Sequence, residues 1–159
     1  MTHEIVGALF VLTASVLVGL DICSLESEKI KQGEELCALL RHIRSNIDFF
    51  LTPVNEILHD YSSPALDRCG FISVMKEKGL KTALQDGGLT VRGKTIELLS
   101  AFSDELGAGY REDELKRCDY YIEKLNDENR AAAEKFLKNK KMYKYLPPLC
   151  VISIIILFI

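Results

Sequence analysis

The sequence predicts an all-α protein, an antiparallel helical bundle in the cytoplasm flanked by N- and C-terminal transmembrane helices. Apolar residues recur every three or four positions through the central part, which is the helical period, and no long stretch alternates with the period of two typical of strands. All 20 Lys and Arg of the 159 residues lie between Lys29 and Lys144, so both ends are nearly free of charge. We therefore predict a transmembrane anchor over residues 1–23, a cytoplasmic helical domain over 24–141 and a second anchor over 142–159.

The first predicted transmembrane helix begins near Ile5. Residues 5–20 have the sequence IVGALFVLTASVLVGL, 16 residues without a charge. As a helix they span about 24 Å, slightly less than a bilayer core of about 30 Å. Continuing the helix to Leu25 supplies the missing turn and leaves Asp21 near the membrane surface, where a charge costs less than at mid-depth. A cleaved signal peptide is the alternative, but the first four residues contain no Lys or Arg and no small-residue cleavage site follows.

The second predicted transmembrane helix covers Leu146–Ile159, 14 residues without a charge. That length also fits a buried core helix, but the residues before it favour the membrane. Lysines with interleaved tyrosines precede it, as is typical of protein segments at the lipid head-group layer: Lys138, Lys140, Lys141, Lys144, Tyr143 and Tyr145. Pro147 and Pro148 fit the first turn of a helix, where their missing N–H groups cost nothing. Because every Lys and Arg lies between the two anchors, the middle of the chain is predicted to be cytoplasmic.

Four helices are predicted in the first part of the cytoplasmic domain. Ser24 is expected to cap a long helix that runs to about Leu51 and ends at Thr52-Pro53. The apolar residues of this helix are spaced four and three apart: Leu36, Leu40, Ile43, Ile47 and Phe50. Three shorter helices follow, over Val54–Tyr61, over Pro64 to about Lys78 behind a Ser62-Ser63 cap, and over Leu80–Gln85.

Two further helices complete the predicted domain. One opens at Thr90, is expected to end at Gly107 and Gly109, and has one apolar stripe: Val91, Thr95, Leu98, Leu99, Phe102 and Leu106. The last helix, about Arg111 to Tyr143, has a seam with the spacing of a coiled coil: Leu115, Cys118, Ile122, Leu125, Asn129, Ala132, Phe136, Asn139 and Tyr143. Asn129 either fixes the helix register or is a solvated gap in this seam.

The composition excludes several classes of function. The middle of the chain is near-neutral and slightly acidic, which argues against nucleic acid, because binding to nucleic acid depends on a clustered basic surface that neutralises phosphates. Five Cys without a C-x-x-C pair argue against a disulfide scaffold and for a reducing compartment. Cys37 and His42 lack the spacing of four that places two ligands on one helix face, and Asp86-Gly87-Gly88 lacks the following Lys of a phosphate loop. We therefore expect no catalytic residue, metal, cofactor or small-molecule substrate. A membrane-associated thiol enzyme using Cys37, Cys69 or Cys118 is the less favoured alternative.

Three segments resemble one family. GALFVLTASVLVG at residues 7–19 is similar to a Gly-flanked first membrane segment, and IDFFLTPV at residues 47–54 to an acidic-aromatic stretch that ends in Thr-Pro-Leu. LSAF at residues 99–102, with Leu106-Gly107, precedes a long charged helix, a Lys-rich collar and a hydrophobic C-terminus. In this order they resemble the stage III sporulation protein AB family of endospore-forming bacteria, over nearly the whole chain.

The resemblance implies both a fold and a function. It implies a helical cytoplasmic domain similar to those of type II secretion F proteins, which act as membrane platforms. The family belongs to a complex that joins mother cell and forespore through a secretion-like channel, beside a secretion-type ATPase, the stage III sporulation protein AA. The chain is then expected to be a non-enzymatic platform that docks or couples this ATPase among other stage III sporulation membrane proteins. Its place is the cell membrane as a two-pass protein, on the mother-cell side in the outer forespore membrane. A generic membrane-anchored helical adaptor is the alternative.

Five charged residues are the candidates for partner binding. They flank the segments that most resemble the family and lie off the apolar stripes: Arg41, Arg44, Asp104, Glu105 and Arg111. An ordinary solvated surface is the alternative for each. Arg44 with Asp48 also has the spacing of a common ion pair within a helix.

The uneven distribution of Lys and Arg makes the topology testable. Reporter fusions at the two termini and in the loop at Gly87 should give a cytoplasmic signal only at Gly87, because basic loops stay in the cytoplasm. A cytoplasmic signal from either terminus would exclude the two-pass arrangement.

Overall fold

The computed structural model describes residues 2–49, 54–107 and 109–158, and within these ranges the chain is helical without a β-strand. The predicted all-α class is thus confirmed. The elements are α1 (Thr2–Phe49), α2 (Val54–Asp60), α3 (Pro64–Arg68), α4 (Phe71–Lys78), α5 (Leu80–Asp86), α6 (Lys94–Glu105) and α7 (Arg111–Phe158).

α1 and α7 are each 48 residues long, longer than the sequence predicts. The prediction that Ser24 caps a separate helix is wrong, because α1 passes through it without interruption. Pro147 and Pro148 also lie inside α7 rather than at the start of a new helix. Two consecutive prolines remove two backbone donors, and the surrounding residues continue the helix across that loss.

The chain divides into two compact units. The end unit comprises Met1–Glu28 with Ala133–Ile159, and the central unit comprises Lys29–Ala132. The predicted domain limits at residues 23 and 141 remain a prediction.

Large apolar side chains are exposed on both helices of the end unit. Phe10 is 76% exposed on α1 and Leu137 is 68% exposed on α7. Among the residues that the structure describes, no helix is long and apolar enough to cross a membrane. The two transmembrane helices therefore stay a prediction.

The apolar stripe predicted for the first long helix forms one side of the core of the central unit. Leu36, Leu40, Ile43 and Ile47 are buried as expected, whereas Phe50 and Leu51–Pro53 lie outside the described residues. Leu39 and Cys37 are buried as well, so this part of α1 is covered over more of its circumference than one stripe.

The helix predicted over Pro64–Lys78 is two helices, so that prediction is wrong in its extent. Ser63 caps α3 as predicted, since its hydroxyl accepts a hydrogen bond from the Leu66 N–H at 3.5 Å. The break before α4 occurs at Gly70, whose φ of 81° lies in the left-handed region that glycine adopts without strain.

α6 begins at Lys94, four residues after the predicted start at Thr90. The reason is a side chain of α1: the buried Gln32 Oε1 accepts hydrogen bonds from the backbone N–H groups of Thr90, at 2.7 Å, and Val91, at 3.4 Å. These two residues are therefore held in a loop outside the helix. At the other end of α6, Gly107 has the predicted left-handed conformation with a φ of 85°, whereas Gly109 does not.

α6 and α7 close the core of the central unit through Phe102. The Phe102 side chain is fully buried and meets the Tyr121 ring edge-on, with the ring centroids 5.4 Å apart. Cys118 and Leu125 are buried on the predicted seam of α7, but Ala132 is exposed, so the seam does not continue that far as a buried stripe. Asn129 is half-buried against Gly33, where a Cβ atom would collide with its amide oxygen.

Because Phe102 is fully buried, Phe102→Ala should lower the free energy of unfolding of the full-length chain by about 3 to 5 kcal/mol. Denaturant unfolding followed by circular dichroism measures this loss. Glu97→Ala, at an exposed position of the same helix, is the control and should change the free energy of unfolding by less than about 0.5 kcal/mol. An unchanged denaturation midpoint for Phe102→Ala would show that Phe102 is not part of the core.

Candidate interaction surface

One edge of the contact between α1 and α7 in the central unit carries charged and polar side chains. Arg41, Arg44 and Asp48 follow one another on α1 at spacings of three and four, which places them on one side of the helix. Arg41 Nη2 donates a hydrogen bond to Asn126 Oδ1 on α7 at 2.7 Å. We call this edge the charged surface, and its residues are Arg41, Arg44, Asp48, Arg111, Asp119 and Asn126.

Arg44 makes the most complete contact of the charged surface. Its guanidinium donates two hydrogen bonds to the Asp119 carboxylate, from Nε to Oδ1 at 2.5 Å and from Nη2 to Oδ2 at 3.2 Å. The expected pair with Asp48 is present at 3.9 Å and is longer. The hydrogen bond to Asp119 raises the pKa of Arg44, so this arginine remains a cation. Because both partners are more than a third exposed, the pair contributes only about 0.2 to 1 kcal/mol of stability and serves mainly to orient the helices.

Arg111 caps the C-terminal end of α1. From the first turn of α7 its guanidinium donates to Asp48 Oδ1 at 2.7 Å, to the Ile47 carbonyl oxygen at 3.4 Å and to the Asp48 carbonyl oxygen. α1 ends at Phe49, so these carbonyl groups belong to its last turn, where no N–H group of the helix is available to donate to them. A cation is favoured at this position by the helix dipole.

A second polar group joins the end of α6 to the start of α7. Arg117 Nε lies 3.0 Å from Glu105 Oε2, and Arg117 Nη1 donates to the Glu105 carbonyl oxygen at 2.8 Å and to Glu114 Oε1 at 2.6 Å. The Gly109 N–H also donates to Glu114 Oε1, at 2.9 Å. The Arg117 guanidinium therefore links α7 to Glu105 at the end of α6, and the Glu114 carboxylate holds both this guanidinium and the loop before α7.

Glu114 is the most buried acid of this group, with a side chain only 6% exposed. Its second oxygen, Oε2, is buried and has no hydrogen-bond partner in the described part of the chain. A buried acceptor without a partner costs about 1 to 3 kcal/mol. The bonds from Arg117 and Gly109 to Oε1 offset part of that cost.

The structure distributes the five predicted partner-binding residues over three places. Arg41, Arg44 and Arg111 lie on the charged surface, whereas Glu105 belongs to the group around Arg117, and Asp104 pairs with Lys81 of α5 at 2.5 Å. Each of the five therefore has a partner within the central unit, and their role in binding another protein remains a prediction.

Sequence reasoning missed the residues that complete these contacts: Glu114, Arg117, Asp119 and Asn126. The antiparallel order of the long helices indicates which segments meet. The partner of each arginine depends in addition on how the helices are rotated about their axes, which the apolar stripes define only to within one or two positions.

Metal ligands and reactive thiols are the two kinds of chemical site considered for the described residues. No group of three or more His, Cys, Asp or Glu among them could hold a metal ion. Burial raises the pKa of Cys37, and burial together with the nearby Glu114 and Asp119 charges raises the pKa of Cys118 to about 11. At neutral pH both thiols are therefore almost fully protonated, which is the unreactive form.

The raised thiol pKa makes the stability of the chain depend on alkaline pH. Cys118 keeps its proton more firmly in the folded state, so its contribution is complete below pH 9 and is lost as the pH rises toward about 11. The free energy of unfolding should therefore fall over that interval, and it should fall less steeply in Cys118→Ala. Denaturant titrations at pH 8, 9, 10 and 11 measure this, and equal slopes for the two proteins would contradict the assignment.

Labelling with iodoacetamide at pH 8 gives a second measurement on the same thiols. Cys37 and Cys118 should react only after unfolding, because both are buried in the folded chain. Rapid alkylation of either in the folded protein would contradict this and would favour a reactive thiol.

Comparison with known proteins identifies the family of this chain. The model of the stage III sporulation protein AB family matches residues 4–159. A relative named stage III sporulation protein AB, from Bacillus subtilis (strain 168), is 24% identical over 167 residues, which cover 97% of this chain and 98% of the relative. No solved structure matches the chain significantly. Because the family match extends over nearly the whole length, the chain belongs to the stage III sporulation protein AB family.

Proposed function

We propose that the chain is a non-catalytic platform, attached to a membrane by its end unit, that docks a secretion-type ATPase with its central unit. Its family gives it a role in sporulation. The observation that carries the proposal is the contrast between the two units: one exposes large apolar side chains, and the other exposes paired charges over an apolar core.

Attachment to a membrane is supported by the pattern of burial in the end unit. Large apolar residues such as Phe10 and Leu17 are exposed on α1, whereas the small residues Ser15 and Gly19 are buried. Small residues at helix contacts and large apolar residues on the outside are typical of helices packed within lipid. In water, an apolar surface of this kind marks a binding or membrane surface.

The proposed location follows from the sequence. Two membrane crossings with the central unit in the cytoplasm agree with the absence of Lys and Arg from both ends. We propose the outer forespore membrane, on the mother-cell side, as the location of this arrangement, because the family resemblance implies it. The proposed partners there are an ATPase of the stage III sporulation protein AA type and other stage III sporulation membrane proteins.

The charged surface is the proposed docking site for the ATPase. Its arginines form their pairs at the protein surface, where the side chain of Arg111 is 49% exposed and that of Arg44 36% exposed. Exposed charges of alternating sign contribute mainly to the rate and specificity of association. A partner with a complementary pattern could bind here without unfolding the contact between α1 and α7.

A thiol enzyme and a generic adaptor are the competing functions, and two observations disfavour them. The buried, protonated state of Cys37 and Cys118 disfavours a thiol nucleophile. The family match disfavours an adaptor from an unrelated system.

Arg44 allows a test that separates partner binding from internal packing. Arg44→Glu faces Asp119 with a like charge, so it should weaken both the helix contact and the association with the ATPase. The double variant Arg44→Glu with Asp119→Arg restores the internal pair with reversed polarity. It should melt within a few degrees of the original chain yet bind the ATPase about tenfold more weakly, a change that corresponds to about 1.4 kcal/mol.

Binding of the full-length chain in nanodiscs to the purified ATPase, measured by biolayer interferometry at several salt concentrations, provides the readout. Lys78→Glu, which changes the charge by the same amount as Arg44→Glu alone but at an exposed position of α4, is the control and should bind like the original chain. Normal binding by the double variant would show that Arg44 acts only within the chain. If the original chain shows no association at any salt concentration, the platform proposal is wrong.

A further inference from the structure

A short stretch of α7 in the end unit combines cationic and apolar side chains on the same outward face. Residues 135–145 contain five lysines and no acid, and we call this stretch the lysine band. Its inner face is marked by half-buried residues at spacings of three and four, Phe136, Asn139 and Tyr143. The opposite face therefore carries residues that are all exposed: Leu137, Lys138, Lys141 and Tyr145.

This mixture differs from the usual faces of a helix. A solvated face carries charged and polar residues, and a face turned to a core or to acyl chains carries apolar ones. Here Leu137 is 68% exposed and Tyr145 61% exposed, between lysines that are also exposed. Lysines that reach outward with their ammonium groups beside tyrosines and apolar residues are typical of the lipid head-group layer.

Along α7, the outward face changes from charged to apolar. After residue 144 the chain carries no charge to its end at residue 159, and exposed apolar residues continue there with Leu149 and Ile152. The lysines therefore mark the polar edge of a longer apolar surface. A bilayer has the same sequence of layers, charged head groups followed by acyl chains.

All lysines and arginines of the end unit lie in the band. Residues 1–28 contain no Lys or Arg, so every cation of this unit lies on α7. The acids of the unit all lie outside the band: Glu4, Asp21, Glu26, Glu28 and Glu134. Glu26 and Glu28 are half-buried. The exposed charge of the band is therefore positive.

We propose that the lysine band binds the head groups of anionic phospholipids. The chain then selects its membrane by the charge of the lipid head groups as well as by the apolar interior of the bilayer. The proposal rests on the membrane attachment proposed above and adds the class of lipid. Lysines at a membrane surface attract anionic lipid by about 1 kcal/mol each, which is about fivefold in partitioning per lysine, and salt screens the attraction. Uncharged zwitterionic lipid lacks this contribution.

The test compares two lipids around the same protein. The full-length chain is reconstituted into phosphatidylcholine vesicles that contain trace amounts of spin-labelled phosphatidylglycerol or spin-labelled phosphatidylcholine. Electron spin resonance then gives the fraction of each label immobilised by the protein. We expect phosphatidylglycerol to be preferred at least fivefold at low salt, and the preference to fall toward one in about 1 M salt.

Three matched variants locate the preference. Lys138→Gln, Lys140→Gln and Lys141→Gln combined should abolish it, whereas the same three positions changed to Arg should keep it because the charge is retained. Gln at Lys76, Lys78 and Lys116, which are exposed in the central unit, removes the same charge elsewhere and should leave the preference unchanged. Circular dichroism confirms that each variant is folded, which is expected because all six lysines are exposed.

Each other outcome contradicts a distinct statement. Equal immobilisation of the two labelled lipids, or a preference that survives the Gln variant at the band, overturns the lipid selectivity while membrane attachment stands. A chain that fails to incorporate both into these vesicles and into vesicles of phosphatidylglycerol overturns the membrane attachment itself.

Discussion

The central unit depends on the burial of one stretch of α1. Its apolar residues, among them Leu36, Leu40 and Ile43, are fully buried, and polar side chains of the same stretch hold neighbouring segments in place. Gln32 binds the loop before α6, and Glu35 accepts a hydrogen bond from Ser63 at the start of α3, at 2.8 Å. Because burial of apolar area is the dominant favourable term in folding, this helix sets where the shorter helices pack, and the polar contacts then select their orientation.

The polar contacts differ in what they can do energetically. The exposed pairs, such as Arg44 with Asp119, stabilise the fold by little, since water solvates the separated charges almost as well. The buried contacts are more demanding, because Gln32 or Glu114 without its donors would leave a buried acceptor unpaired. The exposed pairs can therefore change partners at low cost, which suits the proposed docking surface. The buried contacts fix the packing of the central unit.

The two units differ in which side chains they bury. The central unit buries large apolar residues, while the end unit buries small ones such as Ser15 and Gly19 on α1 and leaves large apolar ones exposed. The first arrangement is favoured in water and the second in lipid, where apolar side chains lose nothing by facing outward. Among the described residues, the Cys37 and Cys118 thiols are buried, and no group of three or more His, Cys, Asp or Glu could hold a metal ion.

The sequence by itself determined the helical class, the apolar stripes of α1 and α6, the cap at Ser63 and the left-handed end of α6 at Gly107, because helical periodicity and capping are local properties. The limits of several elements depended on distant residues: α6 starts late because Gln32, about sixty positions earlier in the chain, binds its predicted first residues. The candidate surface was predicted only in part for the same reason. Charged residues off the apolar stripe can be found from spacing, but the pairing of Arg44 with Asp119 or of Arg117 with Glu114 requires the rotation of packed helices, which only the tertiary structure decides.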